Sequence, residues 1–261
     1  MMTEHSASPA ASLSAALGID GGMVCTVGAG GKKSLLYALA KEATGRIGVT
    51  ATVTTFPFPR WLQAQIVVAD EATLQRQLTQ PGGPGVVAYA CPPVKHARRG
   101  GLATTTVADI HTRGGFDLTL IKADGARMRG IKAPRIGEPV LPQGTARVLA
   151  LVSANVIGQS LNADVAHRPQ LLAEVIGADF GQLLTAEHVG RLLAAERGAL
   201  QATGSVPVVP VINQVDDDER LQQARTAAQV ALAHSDRFDR VVLTCLQHDN
   251  PWHEVIQRDP A

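Results

Sequence analysis

The residues best suited to chemistry lie near the amino end. Gly28-Ala29-Gly30-Gly31-Lys32-Lys33-Ser34 follows an apolar run, Met23 to Val27. It precedes Leu35, Leu36, Leu39, Ala40 and Ala43, apolar residues at helical spacing. A glycine-rich turn between a strand and a helix aims backbone N–H groups and the positive helix end at one point, which suits an anion. Three readings of the turn compete. The dinucleotide pattern Gly-x-Gly-x-x-Gly finds Gly28 and Gly30, but Lys33 holds the third place. The second strand also ends in Thr50 to Thr55, without the acid that would hold a ribose. The mononucleotide pattern finds Gly31-Lys32, with Thr26 replacing its first glycine and the hydroxyl displaced from position 33 to Ser34. In that reading residues 28–34 bind the nucleotide, Lys32 reaches the β- and γ-phosphates, and Ser34 helps hold Mg²⁺. In a plain tight turn the lysines only start the helix, yet cations near the positive end of a helix are unfavourable unless an anion sits there.

Three further groups extend the candidate site. Leu118 to Ala123 followed by Asp124 has the form of a strand ending in a Mg²⁺-holding carboxylate; an ordinary Asp-Gly turn has the same form. Asn213-Gln214-Val215-Asp216 places an amide and a carboxylate three apart, as a guanine reader does. Asp216 or Asp217 would equally cap the next helix. His167 is either a proton carrier or an imidazole bonded to a backbone carbonyl.

These groups need a scaffold. Short apolar runs alternate with helical patterns, which predicts an α/β fold with a mostly parallel sheet and helices on both faces. Strands are expected over Met23–Val27, Ile47–Thr54, Gln65–Ala69, Val86–Ala90, Phe116–Ala123, Val148–Ser153, Val206–Ile212 and, last, Arg240–Leu246. Pro207 and Pro210 suggest that the Val206 strand is an edge or starts irregularly. Helices are expected over Glu71–Leu78, Thr106–Thr112, Gln170–Ile176, Ala186–Leu193 with Thr185 as cap, and Glu219–Ala233. Ala126–Gly144 reads as a long irregular loop, functional or mobile, and Pro92–Gly101, with Lys95, His96, Arg98 and Arg99, as a solvated basic loop. Residues 1–17 read as a flexible lead-in and 18–261 as a single domain.

Composition removes several classes. Lys plus Arg is 24 against 23 for Asp plus Glu, and aromatics are 3%, so a nucleic-acid binder lacks both its charge and its stacking platform. Cys25, Cys91 and Cys245 are scattered, with no Cys-x-x-Cys pair and no His-Glu-x-x-His, so the cysteines read as small buried apolar groups. No zinc, NAD or haem is expected. No apolar stretch approaches a membrane span or a signal peptide, so a cytoplasmic, membrane-free protein is expected.

Several segments together resemble one family, the selenium-dependent molybdenum hydroxylase accessory proteins often called YqeC. The matching stretches are Val27 to Lys32, Thr50 to Thr55, Ala123-Asp124-Gly125-Ala126, Ile131-Lys132-Ala133-Pro134 and Glu138 to Pro142. Gly158 to Asn162, His167-Arg168-Pro169 and Asn213 to Asp216 complete the set. The run from Asp124 to Pro142 is the most specific. The resemblance implies a three-layer, P-loop NTPase-like fold and a role in maturing molybdenum hydroxylases that carry labile selenium. By position it makes Lys32 the phosphate lysine and Asp124 the Mg²⁺ carboxylate, with ATP or GTP as nucleotide. Lys132, Glu138, His167 and Arg168 match motif positions without an assigned role. The family usually has Thr at position 33 and often Glu at position 122; this chain has Lys33 and Lys122. Both changes add positive charge where Mg²⁺ would sit, which disfavours the metal and can partly replace it.

With Asp124 at a strand end, Arg127, Arg129, Lys132 and Arg135 would overhang the nucleotide edge of the sheet. They would clamp a second anion, such as a molybdopterin phosphate or selenophosphate, or else be solvated surface cations. Three activities fit: a Mg²⁺-dependent NTPase or phosphoryl-transfer enzyme; a non-hydrolysing nucleotide-binding chaperone whose nucleotide orders Ala126–Gly144 for a molybdenum hydroxylase; or a phospho- or nucleotidyltransferase acting on a small anion.

Overall fold

A computed structural model describes residues 12–95, 98–246 and 252–258. In chain order the elements are α1 (Leu13–Ala16), β1 (Gly22–Gly28), α2 (Lys32–Glu42), β2 (Arg46–Ala51), β3 (Gln65–Val68), α3 (Glu71–Leu78), β4 (Gly85–Lys95), β5 (Arg98–Gly100) and α4 (Thr104–Arg113). There follow β6 (Leu118–Lys122), β7 (Ile131–Lys132), β8 (Thr145–Ser153), β9 (Ala166–His167), α5 (Pro169–Ile176) and α6 (Ala186–Ala194). The last are β10 (Val208–Asn213), α7 (Asp218–His234), β11 (Arg240–Cys245) and β12 (Trp252–Gln257).

The central strands are apolar on both faces because both faces are covered. Along β1, Met23, Cys25 and Val27 face one core and Val24 the other. β8 alternates likewise, with Val148, Ala150 and Val152 against Leu149 and Leu151. One core receives α3 to α7, the other α1 and α2. The result is a three-layer α/β fold with a ten-stranded sheet in the order β12-β11-β10-β8-β1-β6-β2-β4-β3, β5 hanging on β4. Every pairing is parallel except β11 with β12 and β4 with β5. The chain leaves β1 toward β2, β4 and β3, returns through β6, and crosses to β8 and β10 on the other side. This places a topological switch at the carboxyl end of β1, where open sheets of this kind form their binding crevice.

Several expectations change. Residues 1–11 of the lead-in lie outside the described residues, but α1 is helical and Leu17 is fully buried, so packing begins by Leu13 rather than at residue 18. β2 stops at Ala51, and the threonines beyond it become a loop. Pro92–Gly101 is not a free loop: β4 and β5 form an antiparallel pair, with His96 outside the described residues. β10 is internal, between β8 and β11, and not an edge. Its ladder with β11 begins at Val211, one residue beyond Pro210, so the prolines lie before that pairing starts. Arg240–Cys245 is not the last strand, because β12 returns beside it. The cap expectations agree with the structure: the Thr185 hydroxyl accepts from His188 N–H, and Asp217 caps α7.

Candidate functional site

β1 ends at Gly28 and the chain turns through Ala29, Gly30 and Gly31 into α2. The turn presses on β8 and β10. Ala29 N–H donates to the Leu151 carbonyl at 2.9 Å, and the Asn213 side-chain amide donates to the Gly30 carbonyl at 2.8 Å. At Gly30 (φ 79°) a Cβ would run into the Ser153 backbone, and at Gly31 (φ 112°) into the Asn213 amide. Close packing is therefore enough to require these glycines, as in a plain turn. It does not account for the charge. α2 opens with Lys32-Lys33, has no acid in its first turn, and receives no side-chain cap from Gly31. The first N–H groups of a helix have no intrahelical acceptor, and residues 30–34 line an open cleft.

Beneath the turn runs a chain of alternating charges. Asp124, 1% exposed, accepts from Gly28 N–H at 2.8 Å. Its Oδ1 lies 2.8 Å from Lys32 Nζ and its Oδ2 2.9 Å from Lys132 Nζ. Lys32 also donates to the Gly28 carbonyl. The contact of Oδ1 with Lys32 is a buried ion pair in which charge and a side-chain hydrogen bond both favour the ionised carboxylate. Lys132, its side chain fully buried, further reaches Gly125 C=O at 3.0 Å and Glu138 Oε2 at 2.8 Å. Arg168 closes the chain with two bonds to Glu138 at 2.8 and 2.9 Å. Burial raises the Asp124 pKa, but Lys32 and Lys132 outweigh it and hold the carboxyl below its usual range. Glu138 follows the same pattern: burial is overcome by Arg168 and Lys132, and its pKa falls to about 2. Lys32 goes the other way, because burial of its ammonium exceeds the attraction of Asp124.

The cleft above has a volume of about 1050 Å³. Eight lysines and arginines line it (Lys32, Lys33, Arg98, Lys122, Arg127, Arg129, Arg135, Arg168) against two carboxylates, Glu138 and Asp164. A chain of net charge +1 thus places eight of its 24 lysines and arginines in one crevice. On one wall Phe56 carries Lys33 Nζ 4.7 Å and the Arg98 guanidinium 4.3 Å from its ring centre. Beside them Lys122 donates to Thr54 C=O at 2.9 Å; burial, and then the charge of Lys32, bring its pKa down to about 7. The cleft lining also includes Arg127, Arg129, His167 and Arg168. The His167 imidazole makes no hydrogen bond among the described residues, and burial with the nearby Arg168 takes its pKa to about 4, so it is neutral at pH 7. Four of the six described non-glycine residues with positive φ, namely Arg127, Met128, Arg168 and Gln214, lie on this cleft. Backbone in that region costs energy and collects at functional sites.

The expected site residues therefore divide. Gly30 to Ser34, Arg127, Arg129, His167 and Arg168 share the cleft, as does Glu138. Gly28 and Ala29 lie beneath the turn with their N–H groups bonded to protein. Lys132 is buried in the ion chain and has no free donor direction toward the cleft, which corrects its reading as a ligand cation. Glu138 is likewise committed to Lys132 and Arg168. Asn213 is 2% exposed, holds Gly30 and accepts from the Thr244 hydroxyl at 2.9 Å, so it braces the turn. Asp216 is exposed beside the cap Asp217 and accepts from Cys245 Sγ at 3.3 Å. The loop Ala126–Gly144 is tied down: β7 pairs with β9, Gln201 Nε2 donates to the Arg135 and Glu138 carbonyls, and Val140 N–H to Ala123 C=O. Arg98 and Phe56 are the residues that sequence reasoning missed. Arg98 reads as a solvated loop cation until the β4–β5 pair folds it over the ring, and no sequence pattern links positions 56 and 98.

The expected Mg²⁺ ligands are Asp124 and Ser34. Each Asp124 oxygen already faces an ammonium, and the cleft wall beside Ser34 carries Lys33 and Lys122. Among the described residues no three His, Cys, Asp or Glu side chains gather to hold a metal ion. This donor set does not fit a divalent cation.

Fold and site together define a three-layer α/β protein with a glycine-rich turn opening into a cationic cleft at the strand carboxyl ends. The family described as YqeC protein matches residues 24–170, and the chain belongs to that family. It is 29% identical to the uncharacterized protein YqeC of Escherichia coli (strain K12) over 185 residues, 69% of this chain and 70% of the relative. No solved structure matches. Among the described residues no helix is long and apolar enough to cross a membrane.

Proposed function

We propose that this protein binds a nucleoside polyphosphate such as ATP or GTP at residues 30–34, and serves as an accessory protein in maturing selenium-dependent molybdenum hydroxylases. The observation that carries the reading is the charge of the cleft: eight cations against two acids around the open amino end of α2. Phosphate oxygens would take the first-turn N–H groups of α2. Lys32, ion-paired with Asp124 Oδ1, would turn toward them, while Arg127, Arg129 and Arg168 on the same cleft would bind a second anion such as the phosphate of the molybdenum cofactor. The maturation role rests on the family, the anion chemistry on the cleft.

A second reading, phosphoryl transfer or hydrolysis, is favoured by His167, an unbonded imidazole in its basic form at pH 7 on the cleft wall. Isothermal titration of ATP, GTP and CTP into wild type and Lys32→Met tests binding. Loss of a hydrogen bond to a charged group is worth about 1.5–3 kcal/mol, so affinity should fall roughly 10- to 150-fold. Equal affinity in the variant would sink the assignment. Phosphate release that disappears in His167→Asn, with binding kept, would select the enzymatic reading.

A further inference from the structure

The phosphate site has an unusual wall. In mononucleotide-binding turns, the residue after the lysine offers a hydroxyl and the neighbouring strand a carboxylate, and both hold the Mg²⁺ that neutralises the polyphosphate. Here the residue after Lys32 is Lys33, and the strand beside β1, β6, ends in Lys122. Both side chains line the cleft, with Arg98 as a third cation on the same wall. Their mutual repulsion is evident: Lys122 is held down by burial and by the charges of Lys32, Lys33 and Arg98, and Lys33 by burial and Arg98. The aromatic ring of Phe56 fixes two of them, with Lys33 at 4.7 Å and Arg98 at 4.3 Å. Among the described residues no acid forms an ion pair with Lys33, Lys122 or Arg98, and the nearby carboxylate of Asp124 is taken up by Lys32 and Lys132. Three basic groups converging on one wall without a carboxylate oppose one another's protonation in the empty site, and an anion relieves that.

We infer that Lys33, Lys122 and Arg98 form a built-in counter-ion that takes the place of Mg²⁺, so that the cleft binds a tripolyphosphate chain in its metal-free form. The inference rests on the proposed polyphosphate site and adds the ionic form of its ligand. The shared chemistry is a linear tripolyphosphate anion, whether free or carried by a nucleoside. Mg²⁺ in solution competes for the same oxygens that the three cations need, and so weakens binding instead of enabling it.

The test titrates ATP, GTP and inorganic tripolyphosphate into the full chain, once in excess EDTA and once in excess Mg²⁺. The expected result is tighter binding in EDTA for the ligands that bind. Inorganic tripolyphosphate matching ATP assigns the site to the phosphate chain alone; a nucleotide binding better adds a base contact, and either outcome is compatible with the counter-ion. Lys122→Glu, which restores an acid beside the phosphates, should lose at least tenfold in EDTA and regain affinity when Mg²⁺ is added. Circular dichroism of the variant checks its fold, and Lys33→Thr provides an independent substitution with the same expected sign. Wild-type binding that is at least tenfold tighter with Mg²⁺ overturns this inference and leaves the proposed nucleotide site standing. Absence of binding in both buffers overturns the nucleotide site itself.

Discussion

Lys132→Met isolates the buried charge chain. The change keeps an unbranched stem of similar length and removes the ammonium. In the folded protein that ammonium contacts Asp124 at 2.9 Å, Glu138 at 2.8 Å and the Gly125 carbonyl at 3.0 Å, with no exposure of its side chain. Asp124, 1% exposed, would retain Lys32 and the Gly28 N–H, and Glu138 would retain its arginines. Removing one member of a buried pair costs about 3–5 kcal/mol, since it leaves an uncompensated charge in a poorly solvated site. At about 2–4 °C per kcal/mol for a domain of this size, the melting temperature should fall by roughly 6–20 °C. Equilibrium unfolding in urea at pH 7, followed by circular dichroism, measures the loss. Because both partners sit in one network, Asp124→Asn combined with Lys132→Met should cost less than the sum of the single changes, by about 0.5–3 kcal/mol. A loss below about 1 kcal/mol for Lys132→Met, or strict additivity in the double variant, would refute the reasoning. Lys132 would then be free to serve as a ligand cation.

Two other outcomes are expected. Asn213→Ala removes the donor to the Gly30 carbonyl and the acceptor of the buried Thr244 hydroxyl, so stability should drop by about 1–3 kcal/mol in the same unfolding assay. The ratio of ATP to GTP affinity should stay constant, and a change in that ratio would restore Asn213 as a base reader. Polyphosphate affinity should also depend on pH through Lys122. Burial and the neighbouring cations lower its pKa to about 7 in the free protein, and a bound anion raises it again. Affinity is therefore level below pH 7 and falls by up to about tenfold per pH unit above it, until the pKa of the bound state is passed. The difference between wild type and Lys122→Met across pH 6 to 9 isolates this contribution from the ligand's own titration; parallel profiles would show that Lys122 does not sense the anion.

Local pattern was enough for much of the scaffold. The position of the glycine turn, the run of helical apolar residues behind it, and the caps Thr185 and Asp217 follow from spacing within a few residues of one another. So does the alternation of strand and helix that makes the sheet mostly parallel. The boundaries that shifted, at Ala51, Lys95 and Trp252, lie where apolar alternation fades and pairing with a distant strand decides. Pro210 left an edge or an irregular start open for the same reason, and the late start beside β11 is what the structure has: a proline is unwelcome only where a neighbouring strand needs its N–H, and that depends on register with β11.

Charge partners were beyond the reach of the sequence. Lys132, Arg127 and Arg129 are alike in type and nearly adjacent, yet the first is buried between Asp124 and Glu138 while the other two face the cleft. Asn213 lies 183 residues from the glycine it braces. Arg98 and Lys122 become neighbours of Lys33 only because β6 lies beside both β1 and β2 and the β4–β5 pair folds over Phe56. Hydrophobic periodicity is local and survives in the linear chain. Coulombic and hydrogen-bond partnerships are set by which strand ends meet in space, and strand order alone created the cationic cleft from an almost neutral composition.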